Sequence, residues 1–372
     1  MVEHVNYTKE QLLLKKKELE NQISKYKNLQ LAKKVQLNSA YGALGNEYFR
    51  FFDIRQATAI TMGGQLSIRW IERKVNEYLN RILNTQEVDY VIASDTDSLY
   101  ITFDRLVQSV FKEGINPGSD DSERVINFLD RVAKEKIEPF IDKSYQELSD
   151  YMNAYDQKMQ MKREVIADRG IWTAKKRYIL NVHDSEGVRY AEPKLKMMGI
   201  EAVKSSTPEI CRTAIKDALK IMMMGTETQL QTFISDFKST FNKAEFEQIA
   251  FPRGVSAINK YKDDSTLFRK STPIHVRGSL VYNDQLVRRK LTQKYEQINE
   301  GDKIKFCYLL MPNPVRQDVM SISNYLPPEL GISEYIDYEK QFKKAFLEPM
   351  RVILETIGWK AERTASLEDF FS

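Results

Sequence analysis

The 372-residue sequence predicts a mixed fold in which long helices are combined with short strands that pair in hairpins. Two short apolar runs at residues 90–93 and 99–103 flank the polar segment 94–98, which is the pattern of a β-hairpin. Residues 7–42 and 57–80 instead carry apolar side chains near helical spacing. The length is sufficient for about two or three domains.

The composition is typical of a soluble globular protein, with 29% charged and 42% hydrophobic residues. Lys and Arg number 56 and Asp and Glu number 52, so the net charge of +4 does not by itself indicate nucleic acid. Two cysteines exclude a disulfide framework, and three histidines exclude a zinc site of the usual spacing. Neither a signal peptide nor a membrane-length apolar run is present, so we expect a cytoplasmic protein without a membrane partner.

The first predicted hairpin carries Asp95 and Asp97 in its turn, separated by one residue. Two carboxylates this close repel each other unless a cation lies between them. Carboxylate oxygens suit Mg²⁺, which proteins commonly hold with one or two carboxylates and substrate phosphates. An ordinary polar β-turn is the alternative, because Asp, Ser and Thr favour turns.

The end of the first helical segment carries three polar or aromatic side chains on one face. Lys34, Asn38 and Tyr41 lie at i, i+4 and i+7, and Gly42 follows. A cation, an amide, an aromatic ring and a glycine together suit a nucleoside triphosphate, whose base could approach closely at the glycine. A solvated lysine face with a half-buried Tyr41 is the alternative. The pattern also allows one break near residues 22–27, so it fits a helical hairpin or one solvated helix.

Further helical segments are predicted at 57–80 and at 122–151. The first has an apolar stripe and a basic side, and the second starts at a Ser122 cap and passes a break at Pro139. The stripe consists of Ala59, Met62, Leu66, Trp70, Val75 and Tyr78.

Residues 165–182 predict two strands around a turn at 168–170, with Lys175, Lys176 and Arg177 inside the second strand. Adjacent residues of a strand point to opposite faces, so solvent exposure alone would place a cation on each face. Contact with a phosphate backbone is the other explanation, and the residues alone leave both open. Beyond Lys204 we expect a helix capped by Thr207, a strand-like run at 275–282, a strand at 306–311 and a helix at 333–356.

Several segments together resemble the family B DNA polymerases, in particular the replicative polymerases of T-even-type phages. They follow the family's order from about residue 30 to the C-terminus, and they are KKVQLNSAYGALGN with its K-x-x-x-N-S-x-Y-G pattern, QATAITMGGQLSIRWIERKVNEYLN, SDTDS, KKRY, RYAEPKLKMMGIEAVKSSTP and PIHVRGSLVYN. The resemblance implies an α+β fold. It divides the chain into the last fingers helix (1–46), a palm of antiparallel sheet and helices (47–200), a mostly helical thumb (201–358) and a tail (359–372).

The resemblance implies phosphoryl transfer from a deoxynucleoside triphosphate to a primer 3′-hydroxyl, assisted by two Mg²⁺ ions or by Mn²⁺ in their place. It assigns the metal site to Asp97 and Asp95, with Glu164 as a nearby catalytic carboxylate. Nucleotide binding is assigned to Lys34, Asn38, Tyr41 and Gly42. Contacts with primer–template DNA are assigned to Lys175, Lys176, Arg177, Tyr178, His275 and Arg277.

The sequence departs from the family pattern in two places. Ser94 stands where the family usually has glycine before D-T-D-S. The family's first catalytic aspartate, in an upstream D-x-x-S-L-Y-P segment, has no counterpart in the sequence, and neither has the exonuclease domain. Met1 falls inside what would be the fingers. We therefore expect either one half of a naturally split viral polymerase, whose N-terminal partner chain carries these parts, or a fragment.

A non-catalytic DNA-binding or processivity module that kept the polymerase fold is the competing interpretation. Such a protein would be expected to lose Asp97, Lys34 or Tyr41, and all three are present.

The C-terminal tail carries Leu367, Phe370 and Phe371 at i, i+3 and i+4, on one face of a helical turn. By the resemblance this peptide binds the sliding clamp. Docking of the tail on the thumb is the alternative.

Overall fold

Helices and antiparallel sheets make up this chain, as the sequence predicts. The computed structural model describes residues 8–111, 120–263 and 265–362. These form two compact units, each with its own apolar core. Unit 1 comprises residues up to 125 together with 131–162, and unit 2 comprises 126–130 together with the residues from 163 onward. No helix in the described ranges is long and apolar enough to cross a membrane.

Unit 1 begins with α1 (Lys9–Leu44), a single unbroken helix of 36 residues. Thr8 starts it through a capping box with Gln11, in which each side chain accepts a hydrogen bond from the other residue's backbone N–H. None of its residues is buried. The chain therefore forms one solvent-exposed helix here rather than a helical hairpin, and Gly42 lies inside it.

The core of unit 1 is formed by α2 (Ile54–Ile82), the hairpin of β1 (Val91–Asp95) and β2 (Ser98–Ile101), and α5 (Glu138–Tyr151). The buried residues of α2 are Ala57, Ile71, Val75 and Leu79. The predicted stripe is therefore only partly right, because its first three members, Ala59, Met62 and Leu66, are exposed.

Between the hairpin and α5 lie α3 (Asp104–Val110) and α4 (Asp120–Val132). A π-helical turn, Ala133–Ile137, joins α4 to α5 without a gap. The prediction that Ser122 caps this helix is wrong, because the helix starts at Asp120. The predicted break at Pro139 takes the form of the π turn, since a proline ring clashes with the carbonyl one turn earlier and widens the helix there.

Unit 2 contains a three-stranded antiparallel meander of β3 (Val165–Ala174), β4 (Arg177–Ser185) and β5 (Val188–Met198). The predicted turn at 168–170 is wrong, because β3 runs through it and the turn comes at 175–176. Gly170 instead leaves room for its neighbours to pack, because a Cβ there would lie 2.5 Å from the Trp172 ring and 2.9 Å from Leu180. Asp168 lies on the strand and accepts a 2.8 Å hydrogen bond from the Asn181 amide.

The remainder of unit 2 packs helices around a second antiparallel sheet with the strand order β10-β9-β6. Its helices are α6 (Glu209–Met224), α7 (Glu227–Phe241), α8 (Phe246–Ile249), α9 (Ile258–Tyr261), α10 (Ile274–Arg288), α11 (Tyr338–Phe342) and α12 (Glu348–Thr356). Its strands are β6 (Phe251–Gly254), β7 (Lys262–Asp263), β8 (Leu267–Phe268), β9 (Lys303–Tyr308) and β10 (Val319–Ile322).

Three local predictions for unit 2 need correction. The strand-like run at 275–282 is part of α10, which is buried on several faces and packs on β10, and a helix buried in this way loses its one-sided periodicity. The cap of α6 is Pro208 rather than Thr207. The predicted helix at 333–356 consists of short 3-10, α and π segments.

Candidate functional site

The two aspartates of the first hairpin lie together at its tip. Asp95 pairs with Ser98 at the end of the ladder, and the Asp97 N–H donates a 2.7 Å hydrogen bond to the Asp95 carbonyl. Thr96 between them has a φ of 58°, which is unusual and strained for a β-branched residue. Asp97 is exposed and Asp95 is half-buried. The tight turn therefore presents one carboxylate to solvent directly beside another.

Side chains of α2 fix the position of this hairpin. The Asn76 Oδ1 atom accepts hydrogen bonds from the backbone N–H groups of Tyr90 (2.8 Å) and Val91 (3.1 Å). Asn80 accepts from Val88 N–H at 3.0 Å and donates to the Val88 carbonyl at 2.7 Å. The sequence analysis missed these residues, because an asparagine on a helix carries no signal of a partner 8–15 residues away.

Tyr145 on α5 is a further neighbour of the tip that the sequence analysis missed. Its pKa is raised by burial and by the negative charge of Asp97, so its phenol stays neutral. Only 3% of Tyr145 is exposed, and it belongs to the unit 1 core. In the sequence, an aromatic residue among apolar helix positions indicates only a core residue. No local pattern therefore predicted that Tyr145 lies near the hairpin tip.

The donors at the hairpin tip fit a divalent cation in part. Two carboxylates are the protein contribution that Mg²⁺ commonly has when phosphates supply other ligands. In the part of the chain that the structure describes, no group of three or more His, Cys, Asp or Glu side chains could hold a metal ion. The tip therefore supplies only part of a site, which other oxygen ligands would have to complete.

Glu164 lies in unit 2, just before β3, and its carboxylate forms a 2.6 Å ion pair with Lys196. The neighbouring Arg163 forms ion pairs with Asp130 and with the buried Asp184. This network holds the start of β3. Because the two aspartates belong to unit 1, a place for Glu164 beside them stays a prediction from the sequence.

The predicted nucleotide-binding residues lie along an open face near the end of α1. Lys34, Asn38 and Tyr41 are all exposed, and 43% of Tyr41 is accessible. A Cβ added at Gly42 would meet nothing within 4 Å. The face is accessible to a ligand, and this exposure fits both the nucleotide site and the alternative of a solvated lysine face with a half-buried Tyr41.

The basic segment spans the β3–β4 turn, so the prediction that its cations lie inside a strand is wrong for Lys175 and Lys176 and right for Arg177, the first residue of β4. Lys175 and Lys176 are the two turn residues, both exposed, and Lys176 has a φ of 61°. Gly199 packs beneath them with a φ of 67°, and a Cβ there would clash with the Lys176 carbonyl oxygen. The turn thus presents two neighbouring cations to solvent.

Arg177 and Tyr178 are engaged inside unit 2. Arg177 forms two hydrogen bonds with the Glu201 carboxylate, of 2.9 and 2.8 Å, and a third of 2.9 Å with the Gly199 carbonyl. Burial would raise the pKa of Glu201, but the bonds from Arg177 and Lys204 outweigh it and lower the pKa to about 2. Tyr178 is 4% exposed. Their predicted DNA contacts stay predictions, and their observed contacts are structural.

His275 and Arg277 lie in the first turn of α10. The Arg277 guanidinium forms a 2.7 Å ion pair with Asp318 and lies 5.7 Å from the Phe268 ring centroid. Burial and the nearby Arg253 lower the pKa of His275, which favours a neutral ring. The His275 carbonyl accepts hydrogen bonds from the hydroxyls of Ser279 and Ser321. These contacts tie α10 to β10, and DNA binding by either residue stays a prediction. Leu367, Phe370 and Phe371 lie outside the described residues.

Comparisons with known proteins agree with the motifs. Residues 6–116 match the model of the family described as DNA polymerase family B, and residues 81–247 match that of the Divergent Family B DNA polymerase. The DNA-directed DNA polymerase of Enterobacteria phage T4 is 35% identical over 379 residues, covering 98% of this chain and 41% of the relative. That of Escherichia phage RB69 is 37% identical over 356 residues, covering 92% and 38%. The chain thus spans about two fifths of the length of these relatives, and it belongs to the family B DNA polymerases.

Proposed function

We propose that this chain is the C-terminal part of a DNA-directed DNA polymerase, a nucleotidyltransferase that adds deoxynucleotides to a primer 3′-hydroxyl in viral DNA replication. The observation that carries the proposal is the hairpin tip with Asp95 and Asp97, in a chain that matches the polymerase family across this hairpin. Asp97 is the principal metal ligand, because it is the exposed carboxylate of the pair.

The catalytic roles follow from charge and exposure. Two Mg²⁺ ions, or Mn²⁺, would stabilise the charge on the attacking and leaving oxygens when bound. Asp97 and Asp95 would hold them, with Glu164 as a further carboxylate. On α1, Lys34 neutralises the triphosphate, while Asn38, Tyr41 and Gly42 leave a flat, open face for the base pair.

The exposed lysines of the β3–β4 turn bind the primer strand. A two-residue turn projects Lys175 and Lys176 beyond the sheet, where both can reach phosphates or the groove. Arg177 and Tyr178 support the turn from within unit 2. The tail at 367–371 binds the sliding clamp through its apolar residues, in the helix-in-groove mode.

This chain acts together with the polypeptide that carries the D-x-x-S-L-Y-P segment and the exonuclease, in a partner chain or in the same one. That segment supplies the first catalytic aspartate, and residues 1–372 contain no counterpart of it. The two-metal site is complete when both parts are present.

Primer extension with Mg²⁺ tests the proposal. We expect the purified 372-residue chain alone to give background synthesis and a mixture with the D-x-x-S-L-Y-P polypeptide to extend the primer. Asp97→Ala abolishes extension and spares DNA affinity, because the carboxylate holds metal rather than duplex. Asp104→Ala, which removes another exposed carboxylate of unit 1, is the matched control and keeps activity. DNA binding without synthesis in every mixture would instead support the non-catalytic module.

A further inference from the structure

The first half of α2 carries an exposed apolar face. Ala59, Met62, Gly63 and Leu66 lie at i, i+3, i+4 and i+7, which is the stripe of an amphipathic helix, and we call them the α2 stripe. Met62 is 59% exposed and Leu66 is 42% exposed. Trp70 continues this face but is half-buried, with its indole N–H bonded to the Ser144 carbonyl at 2.9 Å. The same helix face is therefore packed at one end and open at the other.

Two glycines in this open half have no packing explanation among the described residues. Gly63 and Gly64 are adjacent in the helix interior, where glycine is less favourable than alanine. A Cβ added at either one would meet nothing within 4 Å. A glycine on an apolar stripe lets another backbone approach closely. This suggests that something outside the described residues packs against the stripe.

The charge pattern favours a protein partner over nucleic acid. Residues 56–67 contain no charged side chain, and the preceding Arg55 forms a 3.0 Å ion pair with Asp53. A phosphate backbone requires lysines or arginines, which the stripe lacks. Immediately before α2 the chain exposes aromatic rings, with Tyr48 89% and Phe51 65% accessible. Aromatic residues and methionine are enriched in protein–protein interfaces.

We propose that the α2 stripe is the docking surface for the polymerase polypeptide that carries the D-x-x-S-L-Y-P segment. The inference deepens the proposed function and rests on it for the identity of the partner. About three fifths of each phage relative has no counterpart in these 372 residues, so a large polypeptide is available to cover the stripe. A patch of contiguous exposed apolar residues is itself a mark of such a contact.

Affinity between the full 372-residue chain and the separately purified D-x-x-S-L-Y-P polypeptide tests the surface. Leu66→Lys should weaken the complex at least ten-fold, because it places a charge in an apolar contact. The matched control is Val352→Lys, on an equally exposed apolar residue of α12 that is 46% accessible. It should leave the affinity unchanged. Hydrogen exchange should slow at residues 56–67 when the complex forms.

A glycine pair separates docking from folding. Gly63→Ala and Gly64→Ala should both raise the thermal stability of the free chain, since each improves helix propensity and meets no neighbour. Gly63→Ala alone should weaken the complex, by about three-fold or more, because Gly63 lies on the stripe and Gly64 lies about 150° away from its centre. Equal effects of the two substitutions on affinity would overturn the assignment of this face.

These experiments can overturn the proposed docking surface and the proposed polymerase function independently. An active complex that is insensitive to both Leu66→Lys and Gly63→Ala overturns the surface and leaves the proposed polymerase intact. A complex that needs Leu66 but extends no primer supports the surface and overturns the proposed function. Self-association of this chain that Leu66→Lys abolishes, without binding of the other polypeptide, would assign the stripe to a second copy and overturn the proposed partner.

Discussion

Arg177→Ala should destabilise unit 2 rather than act mainly on DNA binding. The guanidinium forms two bonds with Glu201 and a third with the Gly199 carbonyl, directly beneath the Lys175–Lys176 turn. The exposed fractions of the Arg177 and Glu201 side chains are 24% and 19%, so water screens the pair only in part. Removing Arg177 leaves a mostly buried carboxylate whose remaining ion-pair partner is Lys204.

The pKa of Glu201 gives the size of the effect. The folded state lowers it from 4.5 to about 2, which corresponds to roughly 3 kcal/mol in favour of the ionised form. Partial exposure and the retained Lys204 contact reduce this, so we expect Arg177→Ala to lower the free energy of unfolding by about 1–3 kcal/mol. Because the folded pKa is depressed, the stabilisation is present above about pH 4.5 and is lost as the pH falls toward 2.

Urea unfolding followed by tryptophan fluorescence measures this effect. The chain has three tryptophans, and Trp70→Phe leaves Trp172 and Trp359, which both report on unit 2. The difference in the free energy of unfolding between Arg177→Ala and its parent should be largest near pH 7. It should shrink as the pH falls from 4.5 to 2. The control is Lys175→Ala, in the same turn. It should leave stability unchanged and reduce the salt dependence of DNA binding by about one phosphate contact. An Arg177→Ala protein of parental stability that has lost one phosphate contact would refute the assignment.

Three further predictions concern separate parts of the chain. Lys34→Ala should raise the nucleotide KM or lower kcat in single-nucleotide incorporation while primer–template affinity stays unchanged, and the reverse pattern would contradict a triphosphate contact. Gly278→Ala should lower the free energy of unfolding by about 1–3 kcal/mol, because a Cβ would lie 2.5 Å from the Ser321 hydroxyl and 2.9 Å from its backbone nitrogen. Urea titration measures this, and an unchanged midpoint would show that α10 can shift. Deleting residues 367–372 should leave short-primer extension intact and remove stimulation of long synthesis by the sliding clamp, whereas loss of short-primer extension would make the tail structural.

The sequence predicted the family, the mixed fold and the first hairpin better than the local geometry of several other segments. The hairpin at 94–98 forms as expected, because turn-forming residues between two apolar runs leave few alternatives. The mixed fold with antiparallel sheets and the family are also confirmed. The roles of the nucleotide- and DNA-binding residues stay predictions, since they depend on ligands rather than on the fold.

The errors arose where long-range packing outweighs local signals. Gly170 looked like a turn residue, but it lies in β3 because the Trp172 ring and Leu180 occupy the space of a side chain. The run at 275–282 looked like a strand, but it is a helix covered on several faces by β10 and its neighbours. Neither Trp172 packing nor burial of α10 can be read from a window of a few residues.

The placement of the carboxylates proposed to be catalytic depends on α2 more than on the sheet that carries them. A two-stranded hairpin is marginal by itself, so Asn76 and its bonds to Tyr90 and Val91 supply the constraint that the ladder lacks. Asn76→Ala should therefore lower kcat in the extending enzyme while nucleotide KM and DNA affinity change little. Gln146→Ala, an exposed amide on α5 that bonds Asp150 in its own helix, is the control and should keep kcat. The same helix carries the α2 stripe at its other end. The proposed docking surface and the asparagine that positions the aspartates therefore lie on one helix. If Asn76→Ala weakened docking as strongly as it lowered kcat, Asn76 would support α2 itself rather than the tip.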